Sequence, residues 1–176
     1  PGGGVFAITD WKTTPRLRNI VKDSAVTKGR LKGRTLDGGA YLSPDMSYDG
    51  KTILFSWTPA KELSCYRWTK DTTWSIFRIG ADGSGLTQLT DSPHDDFDAC
   101  WLPNKRIVFM SQRRGGYIRC FASLPVPQHV MHSMKADGTD IYPISWFETD
   151  EWHPSVDNNG MLVYTRWDYT DRENCL

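Results

Sequence analysis

The sequence predicts an all-β fold of repeated four-stranded antiparallel units, on three grounds. First, the chain repeats itself. Ala81-Asp82-Gly83 returns as Ala136-Asp137-Gly138, Leu86 and Leu89 as Ile141 and Ile144, Asp96-Phe97 as Glu151-Trp152, and Ile107-Val108-Phe109 as Leu162-Val163-Tyr164, each displaced by 55 residues. Upstream, Lys51-Thr52-Ile53-Leu54-Phe55 prefigures Lys105-Arg106-Ile107-Val108-Phe109 at a displacement of 54. Second, the apolar runs are short and are separated by Asp-Gly and Pro-Asn pairs, which supply the backbone angles of tight turns. Third, 8 Trp, 7 Tyr and 7 Phe stand beside 15 Gly and 10 Pro, a balance that favours strands and turns over helices.

The elements follow in order. Val5-Phe6-Ala7-Ile8, after a glycine cluster, reads as a strand. Trp11 to Tyr41 is basic and turn-rich, and it is too long for a plain connection, so it is expected to pack on the main body. Its centre, Lys28-Gly29-Arg30-Leu31-Lys32-Gly33-Arg34, is either an anion or partner site or, as such runs more commonly are, a solvated loop. Regular architecture starts near Leu42, where Ser43-Pro44-Asp45-Met46-Ser47 leads into an Asp49-Gly50 turn. Ile53 to Trp57 is apolar almost throughout, as suits a strand covered on both faces. Thr58 to Thr73 is an insertion; Trp74 to Gly80 and Leu86 to Thr90 are strands around Asp82-Gly83. An acidic corner, Asp91 to Asp96, precedes strands at Phe97–Leu102 and Arg106–Ser111. Gln112 to Gln128 is a second insertion, followed by strands at His129–Lys135 and Asp140–Trp146, a second acidic corner at Thr149-Asp150-Glu151, and a hairpin of Trp152–Val156 with Met161–Trp167.

Four short antiparallel strands per unit, repeating at a period near 55 with an insertion after the second strand, is the pattern of β-propeller blades. The expected fold is therefore a partial β-propeller of about two and a half to three blades. Residues 1–41 are expected to form an N-terminal strand and basic loop packed on it, and residues 42–176 the blades. A closed propeller needs at least four blades. The chain is thus expected to be a fragment of a larger propeller, with remaining blades or another copy of the chain as partner, and to associate through open strand edges. It starts Pro1-Gly2-Gly3-Gly4 without an initiator Met, so the natural N-terminus is expected to be processed or to lie upstream.

Composition narrows function. The 21 basic and 21 acidic residues balance, which gives no electrostatic reason to expect nucleic acid as a partner. Apolar runs of about four residues fall far short of the roughly 20 that a membrane-spanning helix needs. No secretory leader is visible in the sequence.

Strand, Asp-Gly, strand ending Leu-Thr, acidic corner and apolar strand, as in the run from Gly80 to Gly116, resembles the TolB-type, WD-like propeller repeat. Leu42-Ser43-Pro44-Asp45, Asp49 to Phe55, Asn104 to Arg114, Glu151 to Val156 and Tyr164 to Tyr169 are similar, more narrowly, to the propeller middle domain of the hydrazine synthase alpha subunit and its bacterial relatives. That resemblance implies a periplasmic or secreted setting and, for the narrower family, c-type haem. Haem attachment requires Cys-x-x-Cys-His. Cys65, Cys100, Cys120 and Cys175 all lack that context, so any haem is expected elsewhere in a full-length protein and none within this chain.

The acidic corners are the leading candidate sites. Asp95, Asp96 and Asp98 align with Asp150, Glu151 and His153, and both sets are expected to converge near the central channel. Such oxygen-rich groups suit Ca²⁺ or a basic partner, and His153 would admit Zn²⁺; the plainer alternative is hydrogen bonding that shapes the corner. Arg113 and Arg114, beside two glycines, could bind a carboxylate bidentately or form a solvated hairpin tip. Cys65 and Cys120 occupy matching insertions and could form a disulfide or a metal half-site, or be unrelated thiols; Cys100 reads as a small core residue. His129 and His132 stand three apart in a strand pattern, hence on opposite faces. Trp167-Asp168-Tyr169 with Arg172 could stack a sugar or peptide, or hold an inter-blade ion pair. No nucleophile elbow, phosphate-binding loop or zinc-protease helix motif occurs. The expected function is a non-catalytic scaffold or binding segment, with a protein or small molecule on the channel face. The alternatives are the propeller part of a multi-haem oxidoreductase or, less directly, of a hydrolase.

Overall fold

In the computed structural model, which describes residues 3–60, 71–118 and 125–168, the chain is all-β, with no helix among the described residues. Among the described residues twelve strands form four antiparallel sheets of two, four, four and two strands. The first sheet is a hairpin, β1 (Phe6–Thr9) with β2 (Arg16–Asn19). Blade 1 follows in the order β3 (Ala40–Met46), β4 (Thr52–Thr58), β5 (Ser75–Gly80), β6 (Thr87–Gln88). Blade 2 repeats it with β7 (Asp96–Trp101), β8 (Arg106–Ser111), β9 (Val130–Lys135) and β10 (Tyr142–Pro143). The last sheet is β11 (Glu151–Val156) with β12 (Leu162–Arg166). The first strands β3, β7 and β11 lie against one another and so form the innermost layer of the fan.

The repeat survives at the level of single hydrogen bonds. Gly83 N donates to Gly80 O at 2.8 Å and Gly138 N to Lys135 O at 3.0 Å, while Asp82 Oδ1 and Asp137 Oδ1 each accept from the backbone N–H two residues on. These turns are matching parts of neighbouring sheets. Glycine is required at Gly138 for two reasons: its φ is +84°, and a Cβ there would come within 2.4 Å of Leu89 O in the preceding blade.

The central strands read as they do because both faces are covered. Between the first hairpin and blade 1 lie Val5, Ile20, Ile53, Phe55, Phe77 and Ile79. Between blades 1 and 2 lie Leu54, Ile76, Leu89, Ile107, Phe109 and Met134. Between blade 2 and the last hairpin lie Val108, Met110 and Met131, with Leu162 and Tyr164 against them. Successive residues of β4 and β8 thus enter different cores, so neither strand has a solvent-facing side.

Three local expectations are corrected or refined. The basic stretch 11–41 contains β2, hidden because its alternating Arg16-Leu17-Arg18-Asn19 is short and mostly exposed. The charge run within it is an exposed turn at every residue but Leu31, yet it is anchored: Arg30 bonds Asp91 at 3.0 Å, Leu31 N donates to Gln88 Oε1 at 3.2 Å, and Leu31 is buried in the first core. The fourth strands are two residues long. In blade 1, Thr90 Oγ1 rather than backbone takes the N–H of Ile76, and in blade 2 Pro143 has no N–H to give. The suggested pairing of Cys65 with Cys120, and Tyr169 and Arg172, lie outside the described residues.

The first hairpin turn of each blade ends at Gly50, Lys105 and Gly160, with φ of +68°, +65° and +80°. Lys105 alone bears the left-handed strain of a side chain there. Lys105→Gly is expected to raise stability by about 0.5 kcal/mol, the relieved strain outweighing the added chain entropy. A urea midpoint that falls would show Lys105 to be held by contacts worth more than its strain.

Candidate functional site

Each innermost strand is broken at the same place. The pairing register shifts between Leu42 and Asp45 in β3, between Phe97 and Cys100 in β7, and between Trp152 and Ser155 in β11. Inside each bulge sits one non-glycine residue in left-handed conformation: Ser43 (φ +48°), Asp98 (φ +49°) and His153 (φ +51°). They are 55 residues apart in succession. A bulge re-aims a side chain, and three in register bring theirs together from three adjacent sheets.

Asp98 is the centre of the group. Its Oδ1 accepts a hydrogen bond from Ser43 Oγ. Its Oδ2 accepts from His153 N at 3.2 Å and lies 3.1 Å from His153 Nδ1. The carboxylate side chain is 3% exposed and the imidazole 73%. With Nδ1 held by Asp98, Nε2 is the ring nitrogen offered to a ligand. The trio has the residue types of a hydrolytic triad but the wrong order of contacts. Ser43 gives its proton to the carboxylate rather than to the imidazole, so nothing in this arrangement activates its oxygen as a nucleophile.

A cleft of about 350 Å³ opens beside the group, lined by Ser43, Pro44, Asp45, Asp98, Cys100 and His153 among others. That volume is at the lower end of the range for small-molecule sites, about 300–1,000 Å³. Asp45 Oδ2 accepts from Trp101 N at 2.8 Å, tying blade 1 to blade 2, and burial raises its carboxyl above the ordinary 3.8. Burial, then the nearby Asp45 charge, pushes the Cys100 thiol up to about 12, so at neutral pH it is a thiol rather than a reactive thiolate.

The structure divides the residues singled out from sequence. Asp98 and His153 meet in the innermost layer. Asp95, Asp96, Asp150 and Glu151 do not reach it; they are buried at the blade corners. Asp95 Oδ1 accepts from Trp74 N at 2.8 Å, and Asp150 Oδ1 accepts from His129 N at 2.7 Å, the same contact 55 residues on. Each fastens the start of one blade to the third-strand entrance of the blade before it. Asp96 receives Arg113 bidentately, Nε to Oδ1 at 3.1 Å and Nη2 to Oδ2 at 2.7 Å, and Ser111 Oγ at 2.7 Å. Glu151, its counterpart, accepts from Met131 N at 3.2 Å and from Ser145 Oγ at 2.7 Å. Arg113 does bind a carboxylate as a fork, but an internal one. Arg114 stays exposed and donates to Phe147 O at 2.7 Å.

His132 is buried against Phe109, and desolvation lowers its pKa, leaving it neutral. His129 stacks edge-on against Phe97, with centroids 5.1 Å apart. Asp168 stands 3.5 Å from Arg166. Among the described residues no three His, Cys, Asp or Glu side chains are grouped to hold a metal ion. Among them there is also no helix long and apolar enough to cross a membrane. Ser43, Asp45 and Cys100 were missed as site residues, although the 55-residue displacement that pairs Asp98 with His153 leads from Asp98 back to Ser43.

No protein-family model and no curated protein matches the chain. Among solved structures, it is similar to a protein assigned as TolB from Agrobacterium tumefaciens, with a TM-score of 0.54 and 20% identity over 90% of this chain and 44% of that one. The fold is a TolB-like β-propeller. The chain spans under half the length of that propeller.

Two outcomes test this assignment of roles. Because burial raises Asp45 above 3.8, the folded state holds its proton more tightly than the unfolded chain, and its contribution to stability is lost as pH rises through the raised value. The urea midpoint of the natural chain is therefore expected to fall relative to Asp45→Asn as pH rises from 3.8 toward 7. A constant difference would show that Asp45 titrates alike folded and unfolded. Asp96→Ala, which strips a buried carboxylate from Arg113, is expected to cost about 3–5 kcal/mol in the same assay; a cost below about 1 kcal/mol would make the corner incidental.

Proposed function

We propose that this chain is a non-catalytic β-propeller scaffold and binding segment, and that its ligand, a protein loop or a small polar molecule, sits on the channel face over the Asp98–His153 pair. One observation carries the reading: a buried carboxylate, contacted from the sheets on either side of its own, holds an exposed imidazole at the edge of a cleft. Side chains held in left-handed bulges are costly, and such strain gathers where a chain presents groups to a ligand. The protonated Cys100 thiol and the misdirected Ser43 hydroxyl support binding over covalent chemistry. Likeness of fold leaves the ligand open, since propellers host many functions.

The finer resemblance of the motifs to the hydrazine synthase alpha subunit supports a second reading. Here the segment is the propeller part of a larger multi-haem oxidoreductase in a periplasmic or secreted setting. Its residues do not fit c-type haem, because no cysteine stands in Cys-x-x-Cys-His and the buried Cys100 is not placed to attach one. The haem of such a protein would be held by other parts of it. A Soret band in the purified natural protein would favour this reading.

The binding reading is tested by following the His153 ring resonances while titrating a panel of short peptides, small carboxylates and amines. A bound member is expected to shift those resonances, and His153→Ala to weaken it up to about tenfold, the loss of one hydrogen bond from Nε2. Undiminished affinity in His153→Ala would move the site elsewhere.

A further inference from the structure

The turn between the first two strands is built alike in blade 1, blade 2 and the last hairpin. Gly50 N donates to Ser47 O at 2.8 Å, Lys105 N to Leu102 O at 2.9 Å and Gly160 N to Asp157 O at 3.0 Å. Met46, Trp101 and Val156 stand in the last cross-strand pair before the turn, 55 residues apart in succession. Tyr48, Pro103 and Asn158 match within the turn, and Gly50, Lys105 and Gly160 at its end. The common backbone asks for no aromatic ring at Tyr48 and for no side chain at all at Lys105. Yet Tyr48 from blade 1 and Trp101 and Lys105 from blade 2 line one cavity.

The cavity has a volume of about 330 Å³, within the range of small-molecule sites. Trp101, Leu102, Pro103 and Ala136 give it an apolar wall, and Tyr48, 66% exposed, adds a second aromatic ring. Two charged side chains, Asp49 and Lys105, border it. Asp49 Oδ1 closes its own turn, accepting from Ser47 Oγ at 2.7 Å and from Lys51 N at 3.0 Å. The Lys105 ammonium has no hydrogen-bond or ion-pair partner among the described residues. Trp101 Nε1 is buried and also has no partner among them. Buried donors left so are few in folded proteins, and the cavity that Trp101 lines gives a partner room to approach. The wall comes wholly from blades 1 and 2, each four strands wide, so it is independent of what lies beyond the terminal hairpins.

We propose that this cavity binds a small aromatic carboxylate, its ring laid against Tyr48 and Trp101 and its charge on the Lys105 ammonium. Aromatic rings attract one another edge to face or offset. An ammonium is a point charge on a flexible stem and demands no fixed angle of approach. A neutral ligand would leave Lys105 unexplained, because its φ of +65° suits glycine better and glycine is what both matching turns have. A cationic ligand would be repelled by it. The cavity shares no residue with the cleft beside Ser43, Asp98 and His153, so the inference is independent of the channel-face ligand.

The test titrates the 176-residue chain with naphthoate and with its uncharged amide, following the Trp101 indole N–H and the His153 ring resonances together. Naphthoate is expected to shift the Trp101 resonance and to leave His153 unmoved. It is expected to bind about fivefold more tightly than the amide, the upper worth of one exposed charge pair. Lys105→Gly is expected to abolish that preference while its urea midpoint holds or rises, which separates lost binding from lost folding. Tyr48→Ala, at an exposed position, is expected to weaken both probes alike. Equal affinity of the natural chain for naphthoate and the amide would overturn the proposal, as would a preference that survives in Lys105→Gly. A Trp101 resonance that stays still would overturn it too; if His153 moved instead, the probe would belong to the channel face and the reading of that site would stand.

Discussion

Everything in this fold depends on how the start of one blade is fastened to the blade before it. Antiparallel sheets stacked like slices have no covalent tie except the chain passing from one to the next, and apolar faces alone allow them to slide. The carboxylates of Asp95 and Asp150 remove that freedom. Each stands one residue before the first strand of its own blade and takes a backbone N–H at the third-strand entrance of the preceding one. A buried carboxylate that is hydrogen-bonded in this way costs little, whereas one left unsatisfied costs several kcal/mol, so the blade has one good position and few near alternatives. Asp45, accepting from Trp101 N, makes a second tie near the axis. Once the blades are indexed at both places, the three bulges have to arrive together, and the meeting of Ser43, Asp98 and His153 is a consequence.

How much of this could be read from the sequence follows from what kind of information each feature needs. The sheets were legible because they are local and repeated: Ile53 to Phe55 and Ile107 to Phe109 carry the same alternation into two cores, and the Asp-Gly turns mark where each strand ends. β2 was not legible, because Arg16-Leu17-Arg18-Asn19 is short and mostly exposed, so no row of apolar residues marks it. The acidic corners were rightly seen as a matched set, yet their destinations could not be read. Whether a carboxylate turns toward the axis or toward the neighbouring blade is settled by the bulge that opens after Phe97 and holds Asp98, and a bulge has no sequence signature when its left-handed residue is Asp or His rather than glycine. Arg113 illustrates the same limit. A paired arginine beside two glycines reads as a reaching tip, and only the fold shows that Asp96 comes within its grasp.

Internal repetition also separates structural from functional positions within a single chain. Where the copies keep one residue type at one register position, the position serves what every blade needs. Asp95 and Asp150 make the same bond, and Asp82 and Asp137 close the same turn. Where the copies keep the backbone but change the side chain, the scaffold is no longer the reason for the choice. The three bulges hold nearly the same φ with Ser43, Asp98 and His153, a hydroxyl, a carboxylate and an imidazole. A propeller that needed only the bend could have used glycine three times, at lower cost in strain. Using three different polar groups, and joining them through one buried carboxylate, makes the innermost layer chemically asymmetric around an axis about which the backbone is nearly symmetric. Such asymmetry sets the orientation of whatever enters the cleft, because only one of the three blades presents an exposed imidazole there.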